Sequence, residues 1–364
     1  MQIDFHHAGT YAIARFAGFD HGTAQIIGHC AQYVDDATNG GEIHFDNKAM
    51  YKRISSAHKM LDYNNFDELA NHRVWIPFHF LPGNGGKPAG ENPDGSFIEK
   101  IICRPNSYVA KDMVRWCINE KNRAYGIHRL GVTMHVYADT WAHQGFAGVN
   151  NEVNNISVLE DDDIPNKGWV KKMITHMGDR FDQAAGKMVG GAMPLGHGAV
   201  LSYPDRPFLS WHYVDHHGNK IVRDNPTTFM EASHEMCKAM QRWLLNDPNA
   251  DVQGLKDEDA KKLEYLIRNV HDSDGHKRHK EWQKQLAEGY FSFGKVDLPY
   301  FEKGQGSWKH AALGTKAARD KKKQVFPYSD AFLNSNWKHF HDAIQAHRFD
   351  VIHDILPKYG ICAA

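Results

Sequence analysis

The chain has 364 residues, more than one hydrophobic core usually supports, so it holds one large domain with an extension or two domains. Its 43 basic and 44 acidic residues nearly cancel, which leaves no strong signal for nucleic acid or for an anionic membrane. No run of about 18 apolar residues occurs, so no transmembrane helix is expected.

The start, Met1-Gln-Ile-Asp-Phe-His-His, lacks a basic segment followed by an apolar stretch and is not a secretory signal. Five dispersed cysteines without a Cys-x-x-Cys pair argue against a disulfide framework or a thiolate zinc site. A cytoplasmic protein with reduced thiols is the expectation. The unusual count is histidine, 25 residues, at least half of which are expected to be surface or core residues without chemistry.

In chain order, Ala8 to Ala17 reads as a short helix stopped at Gly18. Asp20 caps a second helix with Ala24, Ile27, Ala31 and Val34 at helical spacing, and Asp35-Asp36-Ala-Thr-Asn-Gly-Gly is a turn. A short helix is expected over 65–72. Val74-Trp-Ile-Pro-Phe-His-Phe-Leu reads as extended because of Pro77. Residues 82–97 form a long Gly/Pro loop, a candidate lid or an ordinary surface excursion. Ser107 caps a strong helix through Val109, Met113, Trp116 and Cys117. The next helix runs from about Ala124 to Gln144 and ends at Gly145 and Gly148. The polar stretch 149–167, with Glu160-Asp161-Asp162-Asp163, reads as a solvated loop, and 168–188 as helix. Residues 190–227 look irregular; helices follow at about 228–246 and 257–271. The segment 272–328 is basic and weakly patterned, and 329–356 is helical. Strand signals are sparse, so the fold class is mainly α. The organisation expected is a helical domain over 1–250 and a helical extension over 251–364 packed on it.

One helix carries chemistry. His135, Asp139 and His143 are spaced i, i+4 and i+8 and share one stripe. The stripe rises roughly 12 Å, too far for one ion to take both histidines. Two ions roughly 3.5–4 Å apart can be held instead, with Asp139 between them. Leu130, Val132, Met134, Val136, Tyr137, Ala138, Trp141 and Ala142 surround the stripe. Polar groups in such a setting must be bonded to one another or to metal, because bare burial costs several kcal/mol, roughly. Partners are available upstream in His6, His7, Asp35, Asp36 and His58. His79, within the apolar run, is a candidate site residue that reads more readily as a core histidine. His212, His216 and His217 line a substrate mouth or pack a loop, and Asp205 carries no assignment.

The order His6 (or His7), Asp36 (or Asp35), His58, His135, Asp139, His143 and a late His197 resembles the zinc-dependent phospholipase C and S1/P1 nuclease superfamily. That resemblance implies a multi-helix bundle with long irregular loops. It also implies two zinc ions, or three; histidine-rich ligation by itself admits iron as the alternative metal. The implied activity is phosphoester hydrolysis by metal-activated water, with Asp36 or Asp139 as the residue that orients or deprotonates the water. The substrate would be a small-molecule or lipid-like phosphoester. Three features depart from the superfamily: three residues rather than five separate Asp139 from His143, the chain shows no processing site that would expose an N-terminal zinc ligand, and His197 is followed by Gly-Ala-Val-Leu. Asp4-Phe-His-His, Gln32-Tyr-Val-Asp-Asp and His135 to Gly148 are also similar to a bacterial family of uncharacterised proteins over most of the chain.

Two rival readings stay open. Adjacent pairs at His271-Asp272, His341-Asp342 and His353-Asp354 suit an HD-type phosphohydrolase. A metal-binding structural or interaction protein without turnover is the other. Glu231-Ala-Ser-His234 stands alone where a ferritin-like di-iron site needs two such motifs.

Overall fold

The computed structural model describes residues 1–58, 68–161, 196–321 and 323–363. The helix expected over 168–188 lies outside the described residues. The chain opens with a wide helical turn, Asp4–Gly9, that runs directly into α1, Thr10–Ala17. Gly18 ends α1 at φ 113, a left-handed cap that glycine adopts without steric cost. Asp20 starts α2, His21–Asp36, by accepting the Thr23 N–H at 3.0 Å. A hairpin follows, β1 Gly41–Phe45 and β2 Met50–Arg53, in a stretch read only as a turn.

Next come α3, Glu68–Phe78, α4, Phe97–Ile101, α5, Tyr108–Asn119, and α6, Gly126–Ala142. Strand β3, Val158–Asp161, pairs with β4, Ser210–Val214, which pairs with β5, Lys220–Asp224. The helices α7, Asn225–Leu245, α8, Asp257–Asn269, α9, Gly275–Glu288, and α10, Trp308–Leu313, follow. Strand β6, Val325–Phe326, joins β1 in parallel, and α11, Asn336–Phe349, continues as a wide turn to Ile355. The fold is mainly helical. No helix among the described residues is long and apolar enough to cross a membrane.

Three differences from the sequence reading have physical causes. Residues 74–78 are helical, because Pro77 falls in the last turn of α3, where few ladder bonds remain to be lost. The apolar face of that turn is buried through Val74, Ile76 and Phe78. The 82–97 loop is a fixed excursion: buried Asn84 donates to the Lys87, Pro88 and Glu91 carbonyls at 3.1, 3.5 and 3.1 Å. Asp161, expected in a solvated loop, ends β3 opposite Trp211.

Helix α6 is buried on nearly every side, the pattern of a central helix, and packs against α2, α5, α7 and α11. Its closest approach to α2 is at Gly131. A Cβ there would meet Ile27 O at 2.6 Å and Cys30 Cβ at 2.5 Å. This tight crossing places the end of α2 beside the middle of α6. Buried side chains from both 1–250 and 251–363 belong to one continuous core, including Ile27, Val136, Trp282 and Phe340.

Candidate metal centre

The wide first turn supplies His6, the end of α2 supplies Asp35, and the residue after α3 is His79. Helix α6 presents His135 and Asp139 and is capped by His143. The segment after Gly196 adds His197 and Asp205 from short 3-10 turns. These side chains form three groups of donors: His6, Asp35 and His135; His79, His135 and Asp139; and His143, His197 and Asp205. Within each group the ligand atoms lie within 4.8 Å of one another, and the groups can hold metal ions.

Backbone carbonyls fix the tautomers. Nδ1–H of His135 donates to Ala31 O at 2.7 Å, and Nε2–H of His79 to Ser56 O at 2.9 Å. Nδ1–H of His143 donates to His79 O, and Nδ1–H of His197 to Leu201 O, each at 2.7 Å. A carbonyl only accepts, so each ring gives one N–H to the backbone and turns its other nitrogen toward the carboxylates. His135 Nε2 lies 3.2 Å from Asp139 Oδ2, and His79 Nδ1 lies 3.4 Å from the same oxygen. His143 Nε2 and His197 Nε2 approach Asp205 at 3.2 and 3.5 Å. Lone pair against carboxylate is repulsive unless a cation lies between. Metal-ligating histidines are held in this way, by an outer hydrogen bond from the other ring nitrogen.

Three atoms point the same way. Among the described residues, neither ring nitrogen of buried His6 has a hydrogen-bond partner, nor does Asp139 Oδ2. The His6 ring stacks on His135 at 3.9 Å, with Nε2 3.2 Å from Asp139 Oδ1. The Met1 amino group lies 2.6 Å from Asp139 Oδ1 and 3.2 Å from Asp205 Oδ1. Burial alone would lower that amine, but Asp139, Asp205 and Asp35 raise it to about 11.

The charge states suit ligation. Burial holds His6 well below the usual imidazole value and lowers His135 and His197 to about 4, so the rings are neutral. Burial would raise the Asp139 carboxyl, but His143 and the Met1 ammonium hold it well below the carboxylate range. Asp205 is lowered by the Met1 ammonium and His197 against the opposing effect of burial. Asp35 is pushed well above the usual range, by desolvation first and by Asp139 next. It is also the most open of the set, its side chain 33% exposed, against 19% for His197 and 11% for Asp205.

Of the residues singled out in the sequence, His6, Asp35, His135, Asp139, His143 and His197 come together. His7 and Asp36 point elsewhere: a His7–His279 hydrogen bond of 2.8 Å occupies the first, and Gln32 and Tyr300 donate to the second. Burial, with Glu302 nearby, raises Asp36 to about 6. His58 lies beside Trp75, ring centroids 6.1 Å apart, and is in none of the three groups. His79, Asp205 and the Met1 amine join the cluster without having been chosen. The adjacent His–Asp pairs do not converge: His271 bonds Arg268 O, Asp342 pairs with Lys338, and neither these nor His353–Asp354 enters a donor group.

Residues 1–355 match the model of the family described as "Family of unknown function (DUF6765)". The chain belongs to this family. No curated protein and no solved structure matches it. Every residue of the donor cluster in this DUF6765 chain falls inside the matched span.

Proposed function

We propose that the protein is a metal-dependent hydrolase of phosphoesters, with zinc as the ion. The observation that carries this reading is the convergence of inward imidazole nitrogens on Asp139 and Asp205, with each ring's other nitrogen fixed as a donor to a backbone carbonyl. Nitrogen-rich sets with a few carboxylates favour zinc or iron over magnesium. His79, His135, Asp139 and Asp35 would hold one ion, and His143, His197 and Asp205 a second. His6, with Asp35 and His135, belongs to a third set that shares ligands with the first. The order of these ligands along the chain, and the multi-helix scaffold, resemble the zinc phospholipase C and P1 nuclease superfamily.

Zinc, when bound, supplies water of near-neutral pKa and polarises a phosphoryl oxygen. The chain's own groups do the rest. Asp35, at the open edge, accepts a hydrogen bond from the incoming water and orients it. Asp139, closed off from solvent, keeps the neighbouring donors in register. His135 and His197, held neutral by burial, carry no proton on their inward nitrogens and so do not compete for the water. A small or lipid-like phosphoester reaches the cluster from the Asp35–His197 side, where exposure is greatest.

The test is elemental analysis of protein purified without added metal, with hydrolysis of bis-p-nitrophenyl phosphate followed on the same sample. Two or more zinc per chain with turnover support the reading. Metal without turnover on any phosphoester would leave a binding protein, and absence of metal would end the proposal.

A further inference from the structure

One residue beyond His347, whose Nε2–H donates to Pro77 O at 2.9 Å, Arg348 lines a cavity of about 450 Å³. Arg73 of α3, Gln345, Phe349, Ile352 and His353 complete the wall. The volume falls in the range of small-molecule sites.

The two guanidiniums are near enough for the charge of Arg73 to act on Arg348. Among the described residues, neither has a carboxylate within ion-pair distance or a hydrogen-bond partner. This is unlike Arg53, Arg129 and Arg278, each of which holds an aspartate. Asp350, two residues away, is already bonded to Arg129 at 2.8 Å. Arg348 in the last turn of α11 could serve the helix dipole alone. That account leaves Arg73, which stands on another helix, placed against a like charge with nothing to offset it.

We infer that this cavity binds a phosphate-type oxyanion bearing an apolar group, at a site separate from the donor cluster. A carboxylate has two oxygens and is satisfied by one guanidinium fork. Two forks from different helices suit an anion with three terminal oxygens and a higher charge. Phe349, 58% exposed, and Ile352 give the apolar group a wall, and Gln345 and His353 offer further polar contacts.

The probe is phenylphosphonate, which a phosphoesterase cannot hydrolyse, titrated calorimetrically into metal-loaded protein. Because the cluster also attracts such anions, the readout is the difference between the wild type and the Arg73→Gln and Arg348→Gln variants. Each variant is expected to lose one binding event or about tenfold or more in its affinity. Metal content and bis-p-nitrophenyl phosphate hydrolysis should stay unchanged, which separates this site from the proposed activity. Benzoate should bind the wild type more weakly than phenylphosphonate. Equal phenylphosphonate binding in all three proteins would overturn the site, and benzoate binding as well as phenylphosphonate would overturn the ligand class. Arg73→Gln alters an exposed residue, so its result stands even where Arg348→Gln folds poorly.

Discussion

His79 Nδ1 and His135 Nε2 face each other at 3.3 Å, and both protons that could have joined them are committed to backbone carbonyls on the far side of the rings. With Asp139 Oδ2 beside them, two inward ring nitrogens and a carboxylate oxygen converge on one point. A bound cation relieves this, and stabilisation by a ligand that prefers the folded state grows with its concentration over Kd. Protein dialysed against a chelator should therefore melt lower than protein with added zinc. Coincident melting curves would show that the cluster has no use for metal.

Asp35 and Asp36 are adjacent in sequence but point to different neighbours. Asp35→Asn should lose at least one equivalent of metal by elemental analysis, together with any hydrolysis. Asp36→Asn, facing Tyr300 and Gln32, should keep its full metal content. The reverse pattern would place the ligand at the wrong aspartate.

Gly131→Ala tests the α2–α6 crossing. The added methyl meets backbone at Ile27 O, which cannot rotate away. Overpacking of this kind costs about 1–3 kcal/mol, read from the urea midpoint. It should also weaken metal binding, because His135 is positioned through Ala31 O on α2. An unchanged midpoint would mean the helices move apart freely.

Arg278 and Asp4 form an ion pair of 2.5 Å with both side chains fully buried. Removing one partner of such a pair typically costs about 3–5 kcal/mol. Arg278→Gln should show a loss of this order on denaturation, and lower metal affinity as well, since Asp4 and His6 share one turn. A stable variant with weakened metal binding would assign Arg278 to the site alone.

Away from the cluster, burial lowers His29 and His341 to about 3, and His128 and His279 to about 4. The unfolded chain, with imidazoles near 6.5, takes up protons first as pH falls. Stability is thus complete above about pH 6.5 and declines progressively toward pH 4. Urea midpoints measured between pH 7.5 and 4.5 should fall, and fall less steeply in His341→Gln. A flat profile would mean these rings are not held neutral.

The helices read best from sequence were those with explicit ends: Asp20 and Ser107 accept the expected N–H groups, and Gly18 takes the left-handed cap. The His135–Asp139–His143 stripe was visible because α6 is regular. His79 was obscured because Pro77 argued for extended backbone, while the helix simply ends there. Asp205 had no periodic context, being presented by a 3-10 turn after Pro204. The β4–β5 hairpin left a local trace that was not used: Asp215 accepts from His217 N–H and Asn219 N–H around Gly218. The β3 pairing with β4 depends on contacts between segments far apart in the chain, which no local pattern encodes.

The Asp4–Arg278 pair also has a consequence for biosynthesis. The turn that carries His6 is anchored through Asp4 by an arginine made 274 residues later. A nascent chain can fold α2 against α6 long before then, but its first turn stays loose until α9 has been translated. Chains that end before Arg278 should therefore take up added zinc less tightly than the full-length protein.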